Sequence, residues 1–361
     1  MEIPTYYPTL QECENLRQFC DFKQYETPLG ICKIKLPPEL NIHSLPYEVL
    51  AQLRCKRPTH QTHLHHKGEG WFRLGLRSQK TRSVAEVLAT SRPAVENHAQ
   101  FWATFGQYHP LYGNDCEGTA FSRDSPHLNT LFPNALQGLC LLKGINTPFL
   151  YVATAGSAFA YHVEDLDCYS ANYMHWGAPK VWYTFARTDN AKFEALLRKH
   201  YPVEARACPE FIRHKIFLPA PHILEAAGIT VHMIEQHVGE LMVTFPQGYH
   251  AGYNIGPNIA EAINFITASW VPLGKMAGRC ECHANTLHIN FEDLTFQADE
   301  IYAPQQLYCT CRQEWDGTTP MIQCTTCQQW FHYACVHLAL DFNTQLNYHC
   351  PTCAPHNFCN T

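Results

Sequence analysis

The chain is expected to fold as a mainly-β barrel or sandwich with a few helices, followed by a small metal-bound module. Three observations lead there. Between residues 96 and 283, short apolar segments such as "PFLYVATAG", "FAYHVED", "ELMVTFPQGYH" and "AEAINFITASW" are separated by Gly- and Pro-containing turns, the pattern of consecutive strands. One stretch, "NAKFEALLRKHYP" near 190–202, breaks that pattern and reads as a helix. Residues 307–355 are crowded with cysteine at metal-ligand spacing.

In chain order, residues 3–40 form a compact aromatic and proline block, from "IPTYYPT" to "GICKIKLPPE". Residues 41–95 are mixed and polar and read as a linker region. Within it His60, His63, His65 and His66 read as solvated, because no cysteine or carboxylate at ligand spacing closes a site around them. The main domain spans 96–283. In the connector 284–306, Phe291, Leu294, Ala298 and Ile301 recur at helical spacing until Pro304.

The composition narrows the function classes. The 361 residues are 46% hydrophobic and 12% aromatic, enough for a sizeable core. No apolar run reaches the ~18 residues of a membrane span. The opening "MEIPTYYPTL" lacks the basic-then-apolar order of a signal peptide. A net charge of −6 gives no sign of nucleic-acid binding and is compatible with a basic partner. Of the 18 cysteines, ten sit at metal-ligand spacings. The other eight (Cys13, Cys20, Cys32, Cys55, Cys116, Cys140, Cys168 and Cys359) are scattered, the usage of a reducing, intracellular compartment.

The chemistry is carried by "YHVEDLDCYSANYMHWGAPKVWY". On a strand, residues two apart share a face, so His162 and Glu164 converge. Two such ligands plus one histidine make the facial triad of a non-haem iron(II) oxygenase. "ELMVTFPQGYHAGYNIG" supplies His250 at the end of an apolar strand. That triad leaves three iron positions open, two for the keto-acid end of 2-oxoglutarate and one for dioxygen. The far carboxylate then needs a cation, and Lys180 in "HWGAPKVWY" is the candidate: a buried lysine needs a counter-charge, and a bound carboxylate provides one.

These residues resemble the jumonji C (JmjC) histone lysine demethylases, and the block 3–40 resembles the JmjN segment that accompanies the catalytic domain in two subgroups. The resemblance implies a double-stranded β-helix, a jelly-roll or cupin-like barrel, with iron inside its mouth. It implies that Tyr112 joins Lys180 on the distal carboxylate, that Asn172 lies near the keto-acid end, and that Phe159 and Trp182 wall the co-substrate pocket. It places Gly144, Tyr151, Glu164, Ala262 and Asn264 at a methyl-lysine pocket. Phe149 stands where a tyrosine is frequent, and Ala262 with Ile263 where some members have Ser-Thr, a less polar wall that favours tri- and dimethyl-lysine over monomethyl-lysine. The implied reaction hydroxylates an N-methyl group, which leaves as formaldehyde.

Two zinc systems are expected. Cys208 and His214 in "CPEFIRH", with Cys280 and Cys282 in "RCEC", supply three cysteines and a histidine, enough to close a tetrahedral structural zinc. They also resemble the zinc site of the subgroup acting on lysine 9 and lysine 36 of histone H3. The spacer before the main domain is shorter than in the subgroup acting on lysine 4.

In the last module the ligands run Cys309, Cys311, Cys324, Cys327, His332, Cys335, Cys350, Cys353. The eight suffice for two ions, and histidine in fifth place resembles a PHD finger. In that family's interleaved pattern, Cys309, Cys311, His332 and Cys335 hold one zinc and Cys324, Cys327, Cys350 and Cys353 the other. Such a small module needs its metals to fold. Tyr308, Trp315, Met321 and Trp330 resemble the cage of fingers that read trimethylated lysine 4 of histone H3, where a quaternary ammonium gains cation–π energy.

The expectation is a nuclear iron(II)- and 2-oxoglutarate-dependent demethylase with three zinc ions, acting on methylated histone H3 in chromatin. Direct contact with DNA stays open. The rivals are a JmjC hydroxylase of protein side chains and an inactive chromatin reader.

Overall fold

The computed structural model describes residues 2–65, 70–133 and 145–282, and beyond these 289–291, 294, 307–308, 313–314, 319–326, 330–336, 338 and 348–350. The chain divides into two compact units, Met1–Phe296 and Gln297–Thr361.

The strands of the first unit are β1 (Thr5–Tyr6), β2 (Ile31–Lys35), β3 (Arg54–Cys55), β4 (Thr59–His65), β5 (Trp71–Ser78), β6 (Arg82–Ser83), β7 (Leu111–Glu117) and β8 (Phe149–Ala153). They continue with β9 (Ala158–His162), β10 (Tyr169–Gly177), β11 (Lys180–Thr184), β12 (Phe217–Pro219), β13 (His232–Gln236), β14 (Glu240–Thr244), β15 (His250–Asn254) and β16 (Asn258–Phe265). Ten of them form one sheet in the order β1-β2-β14-β10-β16-β8-β7-β4-β5-β12, and four form a second, β13-β11-β15-β9. Every pairing in these two sheets is antiparallel except β1 with β2. The arrangement fits the expected jelly-roll barrel.

Strand alternation gives each sheet an inner and an outer face. Ile31 and Met242 of the large sheet pack with Trp182, Phe159 and Ile234 of the small one, so the inner faces meet. Outside the small sheet, Tyr161, Tyr183 and Tyr253 are buried with Phe101 and Phe193 of the helices His98–Thr104 and Asn190–His200. The second of these is the helix expected near 190–202. Outside the large sheet, Ile34, Ala171, Leu241 and Ile263 are buried with Leu16, Phe19 and Cys20 of the helix Leu16–Glu26.

The block 3–40 joins the large sheet, because β2 pairs with β14 along its whole length. Two sequence expectations change. Residues 41–95 are not a linker, because β4 and β5 pair over seven positions inside the same sheet and β4 also meets β7. The histidine tract His60, His63 and His65 therefore lies on a strand, while His66 is outside the described residues. Polar residues hid this strand because β4 places Thr59 and Gln61 on buried faces, where Gln61 bonds both the N–H and the carbonyl of Ala158. In the connector, Phe291 and Leu294 pack on the cluster containing Trp270; Ala298 and Ile301 are outside the described residues.

The second unit has short strand pairs, β17 (Leu307–Tyr308) with β18 (Gln313–Glu314) and β19 (Met321–Gln323) with β20 (Trp330–His332). Ile322, Phe331, Tyr333, Val336 and Tyr348 form its small core around Cys324 and Cys350.

Ile34 is fully buried between β14 and the helix Leu16–Glu26. Ile34→Ala should cost about 2–5 kcal/mol and lower the thermal midpoint of the first unit by about 2–4 °C per kcal/mol. An unchanged midpoint in calorimetry would mean that the N-terminal block is detachable from the barrel.

Candidate active site

The inner face of the small sheet is layered by the register of β11, β15 and β9. Lys180 lies opposite Asn254, Trp182 opposite Gly252, and Thr184 opposite His250. On the other side, Gly252 faces Phe159 and His250 faces His162. Phe159 and His162 are an odd number of residues apart, so simple alternation would send them to opposite faces. The register shift between His250 and Gly252 turns both inward. Gly252 is required in the middle layer, because a Cβ there would lie 2.5 Å from the Phe159 ring and 2.0 Å from the Val181 carbonyl.

His162 ends β9, and Glu164 follows in extended conformation. His162, Glu164 and His250 bring one ligand atom each within 4.8 Å of one another. The carboxylate Oε1 is 3.4 Å from His250 Nε2 and 3.8 Å from His162 Nε2. Each ring is oriented from behind: His162 Nδ1–H donates to the Ala160 carbonyl at 2.8 Å, and His250 Nδ1–H to the Gly248 carbonyl at 3.0 Å. With Nδ1 protonated, both Nε2 lone pairs face the carboxylate, as a metal requires. Burial, and then the neighbouring His250, push His162 down to about 3, so its imidazole is neutral at physiological pH. For Glu164 burial works against ionisation, but the contact with His250 and the positive charge of Lys215 outweigh it and hold the carboxyl well below its usual range. Two imidazoles and one carboxylate on one face fit iron(II).

Asn264, expected in the methyl-lysine pocket, donates from Nδ2 to Glu164 Oε2 at 3.1 Å and to the Tyr169 carbonyl at 3.1 Å. It therefore aims the metal-ligand carboxylate. Tyr151 and Ala262 lie on the same inner face, through the pairings Tyr151–Ala260, Ala262–Asn172 and Ser170–Asn264. Ile263 faces the other way, buried in the outer core. The expected apolar wall at 262–263 thus rests on Ala262 alone, because adjacent strand residues point to opposite faces. Gly144 lies outside the described residues.

Lys180 is almost fully buried, and Nζ donates to Asn254 Oδ1 at 2.7 Å. Among the described residues no carboxylate is within ion-pair distance of it. The Tyr112 and Phe159 rings lie 6.0 and 5.6 Å from the ammonium. Burial lowers Lys180 to about 7. An ammonium enclosed beside aromatic faces, with only an amide oxygen, suits an incoming carboxylate. Trp182 packs edge-on against Phe159, and its Nε1–H donates to Gln236 Oε1 at 3.0 Å. Asn172 is buried on the opposing inner face, and its Oδ1 makes no hydrogen bond among the described residues.

Sequence reasoning missed Asn254, Gln236 and Arg213. Asn254 carried a signal, since it lies four residues after His250 and so on the same face of β15. Gln236 also donates to the carbonyls of Asn172 and Glu240, tying the two sheets, which no spacing reveals.

Cys208, His214, Cys280 and Cys282 meet as expected, with their ligand atoms within 4.8 Å of one another and Cys208 Sγ 3.7 Å from Cys280 Sγ. Burial and the neighbouring thiols push the Cys208 thiol up to about 12, so a cation is needed to hold these sulfurs together as thiolates. Arg213, beside His214, links this cluster to the triad. Its guanidinium donates to the Glu164 carbonyl at 3.3 Å, to Asp167 at 2.8 Å and to Glu210 at 3.2 Å. The turn it holds is strained, with Leu166 and Asp167 both at φ 53°. Trp270 Nε1–H donates to both their carbonyls at 3.0 Å.

In the second unit Cys324 and Cys350 adjoin, the Cys350 N–H lying 3.3 Å from Cys324 Sγ. His332 is buried and Cys335 follows on the next turn. The register of β19 and β20 puts Met321, Trp330 and His332 on one face, opposite the buried Ile322 and Phe331, and Trp330 is 40% exposed. Tyr308 lies on β17; Cys309, Cys311, Trp315, Cys327 and Cys353 are outside the described residues.

Two outcomes follow from this geometry. Arg213→Ala should weaken cobalt(II) binding at the triad about 10–100-fold, the usual effect of losing an outer-shell partner, while the zinc content stays unchanged; cobalt absorbance and metal analysis check both. Lys180→Met should abolish 2-oxoglutarate binding yet raise the thermal midpoint. Because the folded amine titrates near 7 and the unfolded one near 10.4, the variant's stability advantage should be full below about pH 7 and fade as pH rises to about 10.

Comparison with known proteins agrees with this geometry. Residues 149–265 match the family described as "JmjC domain, hydroxylase", and residues 309–353 match the PHD-finger. The chain is 34% identical over 307 residues to the probable lysine-specific demethylase 4F of Homo sapiens, covering 78% of this chain and 46% of that protein. It is 40% identical over 189 residues to lysine-specific demethylase 4D of Rattus norvegicus, covering 51% and 37%. It is 32% identical over 310 residues to lysine-specific demethylase 4B of Mus musculus, covering 81% and 28%. The chain thus spans less than half the length of each of these relatives. A triad on paired strands, a buried lysine and these matches together identify residues 149–265 as a JmjC domain and residues 309–353 as a PHD finger.

Proposed function

We propose that the chain is an iron(II)- and 2-oxoglutarate-dependent histone lysine demethylase. On this reading it acts in the nucleus on tri- and dimethyl-lysine of histone H3, at lysine 9 or lysine 36, and its finger reads trimethylated lysine 4. The observation that carries the enzyme reading is Lys180, a buried ammonium with no carboxylate beside it among the described residues, two layers below a metal-binding face. Lys180 and Thr184, the partner of His250, are four residues apart on one strand, about 13 Å at 3.3 Å per residue. A small dicarboxylate can join the two levels.

Iron(II) with 2-oxoglutarate and dioxygen would supply C–H hydroxylation here. His162, Glu164 and His250 would hold the metal, and Lys180 with Tyr112 the far carboxylate. Asn172 would offer its amide to the keto-acid end. Phe159 and Trp182 form the apolar middle layer that keeps water from the space between. Tyr151 and Ala262 would line the approach of the methylated ammonium, with Asn264 keeping the Glu164 carboxylate turned to the metal. Hydroxylation of an N-methyl carbon needs no nitrogen lone pair, so trimethyl-lysine is within reach, and the resulting carbinolamine loses formaldehyde. The relatives' name, lysine-specific demethylase, points to the same substrate class. Cys208, His214, Cys280 and Cys282 would hold one structural zinc and the finger two more. For the reader role, Trp330 and Met321 share an accessible face of the β19–β20 hairpin.

Mass spectrometry of a methylated histone H3 peptide panel, with iron(II) and 2-oxoglutarate, tests this. Loss of methyl groups from trimethyl and dimethyl peptides with formaldehyde release is expected, and His162→Ala should abolish both while leaving zinc content unchanged. Oxygen added to an unmethylated side chain would favour a protein hydroxylase instead, and full activity of His162→Ala would sink the iron assignment. In calorimetry, Trp330→Ala in the whole chain should remove binding of a lysine 4-trimethyl peptide.

A further inference from the structure

The net charge of −6 hides a sharp segregation. Residues 54–83 hold eight of the 26 basic residues and one of the 32 acidic ones, so this segment carries +7 and the rest of the chain −13. The fold gathers six of the eight basic residues on one two-stranded ribbon. Arg54 pairs with Ser83 and Cys55 with Arg82. Thr81 Oγ1 donates to the Lys56 carbonyl at 2.6 Å, and the Gln79 N–H to the Pro58 carbonyl at 2.8 Å. The ladder then runs on into β4 and β5, with Thr59 opposite Ser78 and His60 opposite Arg77. Arg54, Lys56, Arg57, Arg77 and Lys80 are exposed along it, and Arg82 is half-buried.

Little neutralises them. Among the described residues only Lys56 of this set has a carboxylate within ion-pair distance, Glu117 at 2.9 Å. Glu86 is engaged in capping, accepting from the Ser83 N–H at 2.6 Å. An uncompensated row of cations costs self-repulsion and is stabilised by a polyanion.

We propose that this ribbon is a docking surface for the phosphate backbone of double-stranded DNA. Its length from residue 54 to 60 is about 20 Å at 3.3 Å per residue, comparable to roughly six base pairs at 3.4 Å. Arginine is the residue suited to phosphate, through its planar fork. The surface lacks what other polyanionic partners use. Among the described residues of 54–83 no aromatic side chain is exposed for stacking single-stranded bases, and Leu76 is the one large apolar side chain exposed, so no apolar anchor cluster for an acidic protein is seen among them. None of these side chains belongs to the metal or co-substrate site, so the surface acts in holding the chain on DNA rather than in the chemistry.

The test is fluorescence anisotropy of the whole chain with a labelled 20-base-pair duplex across a salt series. Sequence-independent binding is expected, with log K falling against log salt at a slope of about −4 to −5, near 0.9 for each phosphate contact. The quadruple variant Arg54→Glu, Arg57→Glu, Arg77→Glu and Lys80→Glu should bind at least tenfold more weakly and lose about 3 to 4 of that slope. Its circular dichroism and its turnover of a histone peptide should match the parent chain. No binding at low salt, or equal binding by the variant, would overturn the proposal. Tighter binding of single-stranded DNA, or displacement of the duplex by polyglutamate at equal charge concentration, would overturn the choice of duplex DNA.

Discussion

Lys180 and Glu164 are both enclosed between two β-sheets, in different layers, and neither neutralises the other. Placing unpaired charge in such a space opposes folding unless each group is oriented and partly satisfied. Asn254 does this for the ammonium, Asn264 for the carboxylate, and the Ala160 and Gly248 carbonyls do it for the two imidazoles. Much of the barrel interior consists of such supports. Gln236 spans from Trp182 to the carbonyls of Asn172 and Glu240, so the strands that bear the co-substrate walls are bound to the strands that bear Asn172. Among the described residues the Lys180 ammonium has no carboxylate beside it and the Asn172 oxygen makes no hydrogen bond.

The carboxylate ligand is held from a second direction as well. Glu164 begins a turn in which Leu166 and Asp167 both adopt a left-handed backbone, which is costly for residues with a Cβ. Arg213 and Trp270 hold that turn, and both belong to segments that also deliver the Cys208/His214/Cys280/Cys282 cluster. The cysteine–histidine cluster is therefore joined through Arg213, which adjoins His214, to the backbone from which Glu164 projects.

Charge is distributed with equal economy on the surface. The ribbon around Arg54 and Lys80 concentrates positive charge in a chain that is acidic elsewhere, so an average over the whole sequence conceals it. In the second unit the β19–β20 hairpin separates its roles by face: Ile322 and Phe331 build the small core, while Met321 and Trp330 share the face of the buried His332.

The motifs with local logic were legible from residue order alone. His162 and Glu164 two apart, His250 after an apolar strand, Lys180 in an aromatic strand and the cysteine spacings depend only on strand periodicity and ligand chemistry, which operate over a few residues. Tertiary structure decided what depends on register and on long-range pairing. The shift between β9 and β15 turned Phe159 inward beside His162, alternation along β16 turned Ile263 away from Ala262, and the pairing of β4 with β5 made strands of a segment that read as a linker. Polar residues such as Gln61 mask a buried strand because their hydrogen-bond partners come from residues far along the chain, here Ala158. No local pattern records such a partner, and so Asn264, Gln236 and Arg213 acquire their roles only when the sheets close.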